Sequence, residues 1–266
     1  MVDQRVRESL GLVIEVFRGF RGELMEHFGR LDFERKGDLS PVTVYDRKID
    51  EEVRRRLAED FPEMGYEGEE TGDSRGSGGY WTVDPIDGTT SYIRRLTSCT
   101  SMAAYVDGED ILAAVIYDFV GDVLYTAIRG EGAYRDGEKI EIFESDRMFE
   151  VNMHGRKVFS EVSALLSPQD FRVHHPMGAM GRQALHIAEG KFDGYMNLDG
   201  RGAMHDFAPG ILIAMEAGAV VVPILDEESS IYRWDRPFFI GSGKAAEIVR
   251  RNREEIGRIF VKNFGE

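Results

Sequence analysis

The chain has a single cysteine in 266 residues, Cys99, which excludes an intramolecular disulfide framework. That residue sits in Leu96-Thr97-Ser98-Cys99-Thr100-Ser101-Met102, beside apolar sequence and inside no nucleophile motif, so a buried structural thiol is expected. No stretch approaches the roughly 18 consecutive apolar residues that a membrane helix needs. The opening Met-Val-Asp-Gln-Arg lacks the apolar core of a signal peptide, so a cytoplasmic location is expected. Positive charge is scarce: 33 Lys and Arg face 48 Asp and Glu, a formal net charge of −15. That balance argues against non-specific nucleic-acid binding, which requires a basic face. There is no His/Cys set with zinc-like spacing, no internal repeat, no low-complexity tract and no linker.

What is present suits a globular protein, with 42% hydrophobic and 30% charged residues. Val6, Leu10, Val13, Phe17, Phe20, Leu24 and Phe28 recur three and four apart, which predicts an amphipathic helix over the first 28 residues. A second helix is predicted from about Thr43 to Asp60, with Ile49, Val53 and Leu57 on its buried face. From Tyr80 the period changes. Trp81-Thr82-Val83, Ser101–Val106, Ile111–Tyr117 and Val123–Ile128 read as strands, and Arg135-Asp136-Gly137-Glu138 as a hairpin turn. The second half alternates: strands near Phe149–Met153, Phe192–Met196, Ala219–Ile224 and Phe238–Gly241, with helices from about Glu161, over Gly181–Glu189 and Asp206–Ala217, and over Lys244–Val261. This order predicts an α/β (α+β) layered sandwich. Two closely packed parts, 1–145 and 146–266, are expected, tight enough to count as one domain.

Three acidic clusters lie near element ends: Gly68-Glu69-Glu70-Thr71-Gly72, the pair Asp84 and Asp87 after the strand at Trp81, and Asp206 at the start of an apolar helix. Pro85 has no N–H and a fixed φ, so the chain leaves the strand in a rigid turn, and Gly88 permits close backbone approach. Carboxylates hold Mg²⁺, and N–H groups at a helix start hold phosphate. On spacing alone, Asp87 as a helix N-cap and Asp84 as a turn former account for the pattern equally well.

The segment Trp81-Thr82-Val83-Asp84-Pro85-Ile86-Asp87-Gly88-Thr89-Thr90 resembles the signature of the inositol monophosphatase family, within the lithium-sensitive, metal-dependent phosphatases. Gly68-Glu69-Glu70, Gly37-Asp38-Leu39-Ser40-Pro41-Val42-Thr43 with Asp46, and Asp206-Phe207-Ala208-Pro209-Gly210 followed by Glu216-Ala217-Gly218 agree in order and rough spacing. The resemblance implies a sandwich of the sugar phosphatase type. It also implies Mg²⁺-dependent hydrolysis of a small phosphate monoester, with two to three ions, Mn²⁺ able to substitute, and Li⁺ and Ca²⁺ inhibitory. Glu69, Asp84 and the carbonyl of Ile86 would bind one ion; Asp84, Asp87 and Asp206 a second; Glu69 would share a weaker third. Thr89, held by Asp46, would orient and help deprotonate the attacking water, so that Thr89, Asp46 and Glu69 form the catalytic set. The N–H groups of Gly88 and Thr89 would grip the phosphate. Lys36 and Asp38 match the mobile loop that closes over the site in relatives. A homodimer and a small-molecule phosphate ester are the implied partners, with no nucleic acid and no membrane.

The match thins on the substrate side. Many members have Trp-Asp where this chain has His205-Asp206, and Asn197 stands near the position where animal enzymes use a Glu against the inositol hydroxyls. Asp199 and Arg201, in Asp-x-Arg-Gly, resemble the archaeal-type branch that acts on both inositol monophosphate and fructose 1,6-bisphosphate. Asn197, Asp199, Arg201, Arg182 and His205 are therefore candidate substrate contacts. For Arg182 and Arg201 plain surface charge is the equal alternative, and for His205 a helix-start role is favoured. His174-His175, beside Pro176, reads as a strand-end pair rather than a ligand site. Inositol monophosphate is the favoured substrate. Fructose 1,6-bisphosphate, histidinol phosphate and a nucleotide or NADP phosphate are the alternatives. A metal-binding regulatory protein on the same fold is the non-enzymatic alternative.

Overall fold

The computed structural model describes residues 2–30, 32–37, 39–74, 78–143, 148–152, 156–167, 172–174, 179–198, 202–225 and 236–264. Helix α1 (Gln4–Glu26) is followed by the two-residue strands β1 (Glu34–Arg35) and β2 (Pro41–Val42), and then helix α2 (Val44–Asp60). Next come β3 (Gly65–Gly68), β4 (Gly72–Asp73), β5 (Tyr80–Asp87) and the short helix α3 (Thr89–Ile93). An antiparallel run follows: β6 (Thr100–Asp107), β7 (Asp110–Asp118), β8 (Val123–Ile128), β9 (Gly132–Arg135) and β10 (Glu138–Ile140). The remainder alternates as β11 (Met148–Asn152), α4 (Arg156–Leu166), β12 (Arg172–His174), α5 (Met180–Ala188), β13 (Gly194–Asn197), α6 (Met204–Glu216), β14 (Val220–Pro223), β15 (Phe238–Gly241) and α7 (Gly243–Phe264).

Two sheets organise these elements. The larger has eight strands in the order β10-β9-β8-β7-β6-β5-β3-β4, and the smaller has five, β12-β11-β13-β15-β14. Strand β5 is buried along its whole length, as a strand covered on both faces must be. One face of the larger sheet packs Trp81, Val83, Ala103 and Val115 against Val13, Phe17 and Leu24 of α1 and Ile49 and Val53 of α2. The other face packs Met102, Ala104 and Ile116 against Ala184 and Leu185 of α5 and Ala208, Ile211 and Leu212 of α6. Those two helices also meet Tyr195, Phe238 and Ile240 of the smaller sheet, whose far side is covered by α4 and α7 through Val158, Val162, Ala246 and Val249. The result is a sandwich of alternating helix and sheet layers, α-β-α-β-α, as predicted. The larger sheet ends at Ile140 and the smaller begins at Met148, yet α5 and α6 belong to the core between them.

Most predicted elements form within a few residues of their expected ends. The first stripe buries Val6, Leu10, Val13, Phe17 and Leu24, whereas Phe20 and Phe28 are only partly buried, because α1 ends at Glu26 and the stripe drifts around the helix. Helix α4 starts at Arg156, five residues before the predicted Glu161. Strands β3, β4 and β12 are not visible as periodic sequence, being two to four residues long. Cys99 is buried as expected, and burial pushes its thiol pKa up to about 12.

Candidate active site

The centre of the site is an irregularity in β5. Asp84 pairs with Met102 of β6 and Asp87 pairs with Thr100, so three steps along β5 match two along β6. In a regular strand, residues three apart point to opposite faces. The extra residue at Pro85-Ile86, where proline has no N–H to give the ladder, restores the alternation and turns both aspartates to the α5/α6 face. Ile86 stays on the opposite face, in the core under α1 and α2.

Helices then add further groups. Asp206 lies in the first turn of α6, and its Oδ2 accepts the Ala203 N–H at 2.6 Å, which fixes the carboxylate against the helix start. The N-terminus of α5 reaches Asp87, whose Oδ2 accepts from the Gly181 N–H at 2.8 Å and the Thr100 hydroxyl at 3.2 Å. A Cβ on Gly181 would stand 2.7 Å from that oxygen, so only glycine lets the α5 backbone approach. From the other side, α2 contributes Asp46. It caps its own helix by accepting from the Thr43 N–H (2.8 Å) and hydroxyl (2.5 Å) with Oδ2, and its Oδ1 accepts from Thr89 Oγ1 at 3.0 Å. Gly88 turns the chain at φ +84° to open α3, which places its own N–H and that of Thr89 at a helix start.

The electrostatics are strained in one direction. Asp84 and Asp87 are buried (3% and 5% exposed) and Asp206 is half-buried, and desolvation is the main reason all three carboxyl pKa values are raised. Mutual repulsion adds to this: the charges of Glu69, Asp87 and Asp206 push Asp84 well above the usual range. For Asp206, the neighbouring His205 opposes the rise. Burial lifts Asp46 to about 6, against the hydrogen bonds from Thr43 and Thr89. Asp84 Oδ1 is buried without a hydrogen-bond partner among the described residues. Such an orphaned carboxyl oxygen inside an all-oxygen cluster is what a hard divalent cation would satisfy. Among the described residues no group of three or more His, Cys, Asp and Glu side chains is already drawn in to metal-holding geometry.

Lys36, in the loop between β1 and β2, occupies the edge of the cluster. Its ammonium lies 2.7 Å from Glu69 Oε1 and also contacts Glu70. Burial lowers the Lys36 pKa, but these two partners outweigh it and leave the group above its ordinary value.

The structure thus brings together Lys36, Asp46, Glu69, Asp84, Ile86, Asp87, Thr89 and Asp206. Asn197 ends β13 as a fully buried residue. His205 is in the first turn of α6, half-buried, with Nδ1 4.0 Å from Glu67 Oε1. Arg182 goes elsewhere: it pairs with Asp118 at 2.8 Å and donates to the Thr97 carbonyl at 3.1 Å, joining α5 to the end of β7. His174, on β12, sets its ring edge-to-face on Phe192. Asp38, Asp199, Arg201, His175 and Pro176 lie outside the described residues.

Sequence reasoning missed Asp50. It is one helical turn after Asp46 on α2, wholly buried, and accepts from the backbone N–H groups of Glu70 (2.6 Å) and Thr71 (2.9 Å). Its signal was the i, i+4 spacing from Asp46 inside an otherwise apolar face.

The chain matches the model of the inositol monophosphatase family over residues 7–258 and belongs to that family, whose members are phosphatases. It is 28% identical over 218 residues to a fructose-1,6-bisphosphatase/inositol-1-monophosphatase of Aquifex aeolicus (strain VF5), covering 74% of this chain and 78% of that protein. It is 29% identical over 264 residues to a histidinol-phosphatase of Chlorobaculum parvum, covering 97% and 96%. The extragenic suppressor protein suhB from Bartonella henselae has the same fold, with a TM-score of 0.79 at 23% identity over 97% of this chain and 100% of that one. No helix among the described residues is long and apolar enough to cross a membrane.

Proposed function

We propose that this chain hydrolyses a small phosphate monoester in the presence of Mg²⁺, with inositol monophosphate the favoured substrate. The observation that carries the reading is the burial of Asp84 and Asp87 at the bulge of β5, with the half-buried Asp206 of α6 near enough that its charge opposes theirs. Buried like charges cost free energy unless a cation compensates them. In this reading Glu69, Asp84 and the Ile86 carbonyl would hold one ion, and Asp84, Asp87 and Asp206 a second. Glu69 shares a weaker third. When bound, Mg²⁺ supplies neutralisation of the phosphate dianion, a lower pKa for water and stabilisation of the leaving oxygen.

The chain's own residues do the rest. Thr89 Oγ1 lies 3.0 Å from Asp46 Oδ1 and 3.1 Å from the Ile86 carbonyl; with its single proton donated to Asp46, the oxygen is free to accept a proton from the attacking water. As that proton reaches Thr89 Oγ1, the threonine's own proton passes to Asp46, whose pKa near 6 makes it a better acceptor than an ordinary aspartate. The water oxygen forms the new bond to phosphorus, the ester P–O bond breaks, and the alcohol leaves with a proton from solvent. The Gly88 and Thr89 N–H groups at the start of α3 receive the phosphate oxygens. Lys36 offsets part of the cluster's negative charge through its pairs with Glu69 and Glu70.

The names of the two relatives support fructose 1,6-bisphosphate and histidinol phosphate as second readings, the latter because that likeness spans 97% of the chain. Activation by Mn²⁺, inhibition by Li⁺ and Ca²⁺, a homodimer and a cytoplasmic location complete the proposal on the family resemblance. Phosphate release should be measured with Mg²⁺ against inositol monophosphate, fructose 1,6-bisphosphate, histidinol phosphate and NADP. The highest kcat/KM is expected for inositol monophosphate. A higher value for another ester would transfer the assignment to it, and no release from any would defeat the hydrolase reading.

A further inference from the structure

Helix α2 presents two buried carboxylates one turn apart, and only the first has a place in the reading above. Asp46 fixes Thr89; Asp50 faces the three-residue loop Glu69-Glu70-Thr71 that joins β3 to β4. Its carboxylate accepts four hydrogen bonds from described residues. Oδ2 accepts from the Glu70 N–H at 2.6 Å and the Thr71 N–H at 2.9 Å. Oδ1 accepts from Thr71 Oγ1 at 3.1 Å and from the Tyr66 hydroxyl. The approach is so close that a Cβ on Gly68 would lie 2.1 Å from Oδ1. The Glu69 N–H also donates to the Val83 carbonyl at 3.1 Å, which docks the loop beside Asp84.

From this juxtaposition we propose that Asp50 is a positioning residue, which clamps the Glu69–Thr71 loop onto α2 and thereby sets the Glu69 carboxylate at the cation site. The inference rests on the reading of Glu69 as a metal ligand. The three-residue loop is closed by the Gly68–Gly72 pair of the β3–β4 hairpin, with Gly72 at φ +79°, and Lys36 pairs with Glu69 and Glu70; the Asp50 bonds are the ones that tie its backbone to α2. The two N–H bonds fix the backbone from which the Glu69 side chain, now paired with Lys36, would reach a cation. Loss of such a supporting group typically weakens a metal site roughly 10- to 100-fold.

The test uses the full chain, with Mn²⁺ as a spectroscopic probe followed by electron paramagnetic resonance and displaced by Mg²⁺. Asp50→Ala should weaken Mn²⁺ binding about tenfold or more. Asp50→Asn should restore it to within about threefold, because the amide oxygen can keep both backbone bonds while the amide nitrogen donates to the hydroxyls of Thr71 and Tyr66. Tyr66→Phe removes one bond to the same carboxylate without releasing the loop, so it should lower the melting temperature yet leave Mn²⁺ binding within about twofold. Equal binding by wild type and Asp50→Ala, or an equal loss in Tyr66→Phe, would overturn the proposal. Should Asp50→Ala not fold, hydrogen exchange at the Glu70 and Thr71 amides of the wild type decides: protection is expected, and open-loop exchange refutes the clamp. A wild type that binds no Mn²⁺ would remove the metal reading itself, an outcome distinct from a wild type that binds and a variant that binds as well.

Discussion

Asp87→Asn should stabilise the metal-free protein while abolishing its response to Mg²⁺. Burial first, and then the charge of Asp206, lift the Asp87 carboxyl from 3.8 to about 8, so keeping it in the folded state at pH 7 has a cost. The span between 3.8 and pH 7 is about three pKa units, or roughly 4 kcal/mol at 1.36 kcal/mol per unit. Asparagine carries no charge, yet its amide oxygen can still accept from the Gly181 N–H. Allowing about half for relaxation of the neighbours, the variant gains about 2 kcal/mol, a rise in melting temperature of roughly 4–8 °C for a chain of this size. The assay is calorimetry at pH 7 in EDTA and again with excess Mg²⁺. Wild type should melt lower than the variant in EDTA and gain on adding Mg²⁺, whereas the variant should change little. A variant that melts below wild type in EDTA would refute the argument that the cluster stores repulsion.

The same repulsion has a pH signature. Asp46, Asp84 and Asp87 all have folded-state pKa values above their unfolded ones, so the folded state binds more protons and stability falls as pH rises from about 4 through 8. Melting curves in EDTA should show this decline, and Mg²⁺ should flatten it. Thr89→Ala should lower kcat by about 100-fold or more, with Mg²⁺ affinity nearly unchanged by calorimetric titration, since the hydroxyl serves proton transfer. Arg182→Ala should destabilise the protein by about 2 kcal/mol in denaturant unfolding by stranding Asp118, without changing KM for a phosphate ester. Cys99 should resist thiol reagents in the native protein and react fully once unfolded.

The layers were legible because α1, α2, α6 and α7 carry long apolar stripes and β5 to β8 carry apolar runs, signals that survive without knowledge of their neighbours. The hairpin of β3 and β4 was not. Gly65-Tyr66-Glu67-Gly68 is too short for a period, and its position depends on pairing with Tyr80–Val83 and on the buried carboxylate of Asp50. Asp84 and Asp87 stood out as acids after a strand, but spacing alone left a turn and a cap as equal readings. What separates the alternatives is the bulge that turns both side chains to one face, and a bulge is a property of two strands together. Arg182 shows the converse. Its guanidinium suits phosphate, yet the partner that the fold supplies is Asp118, far away in sequence.

The central claim, a cation-dependent phosphatase centre on the β5 bulge, is tested most directly by phosphate release from inositol monophosphate after EDTA stripping and Mg²⁺ titration. The stripped protein should release no phosphate and recover as Mg²⁺ returns, and Asp87→Asn should not recover. Release that persists in EDTA, or full turnover by Asp87→Asn, would contradict it.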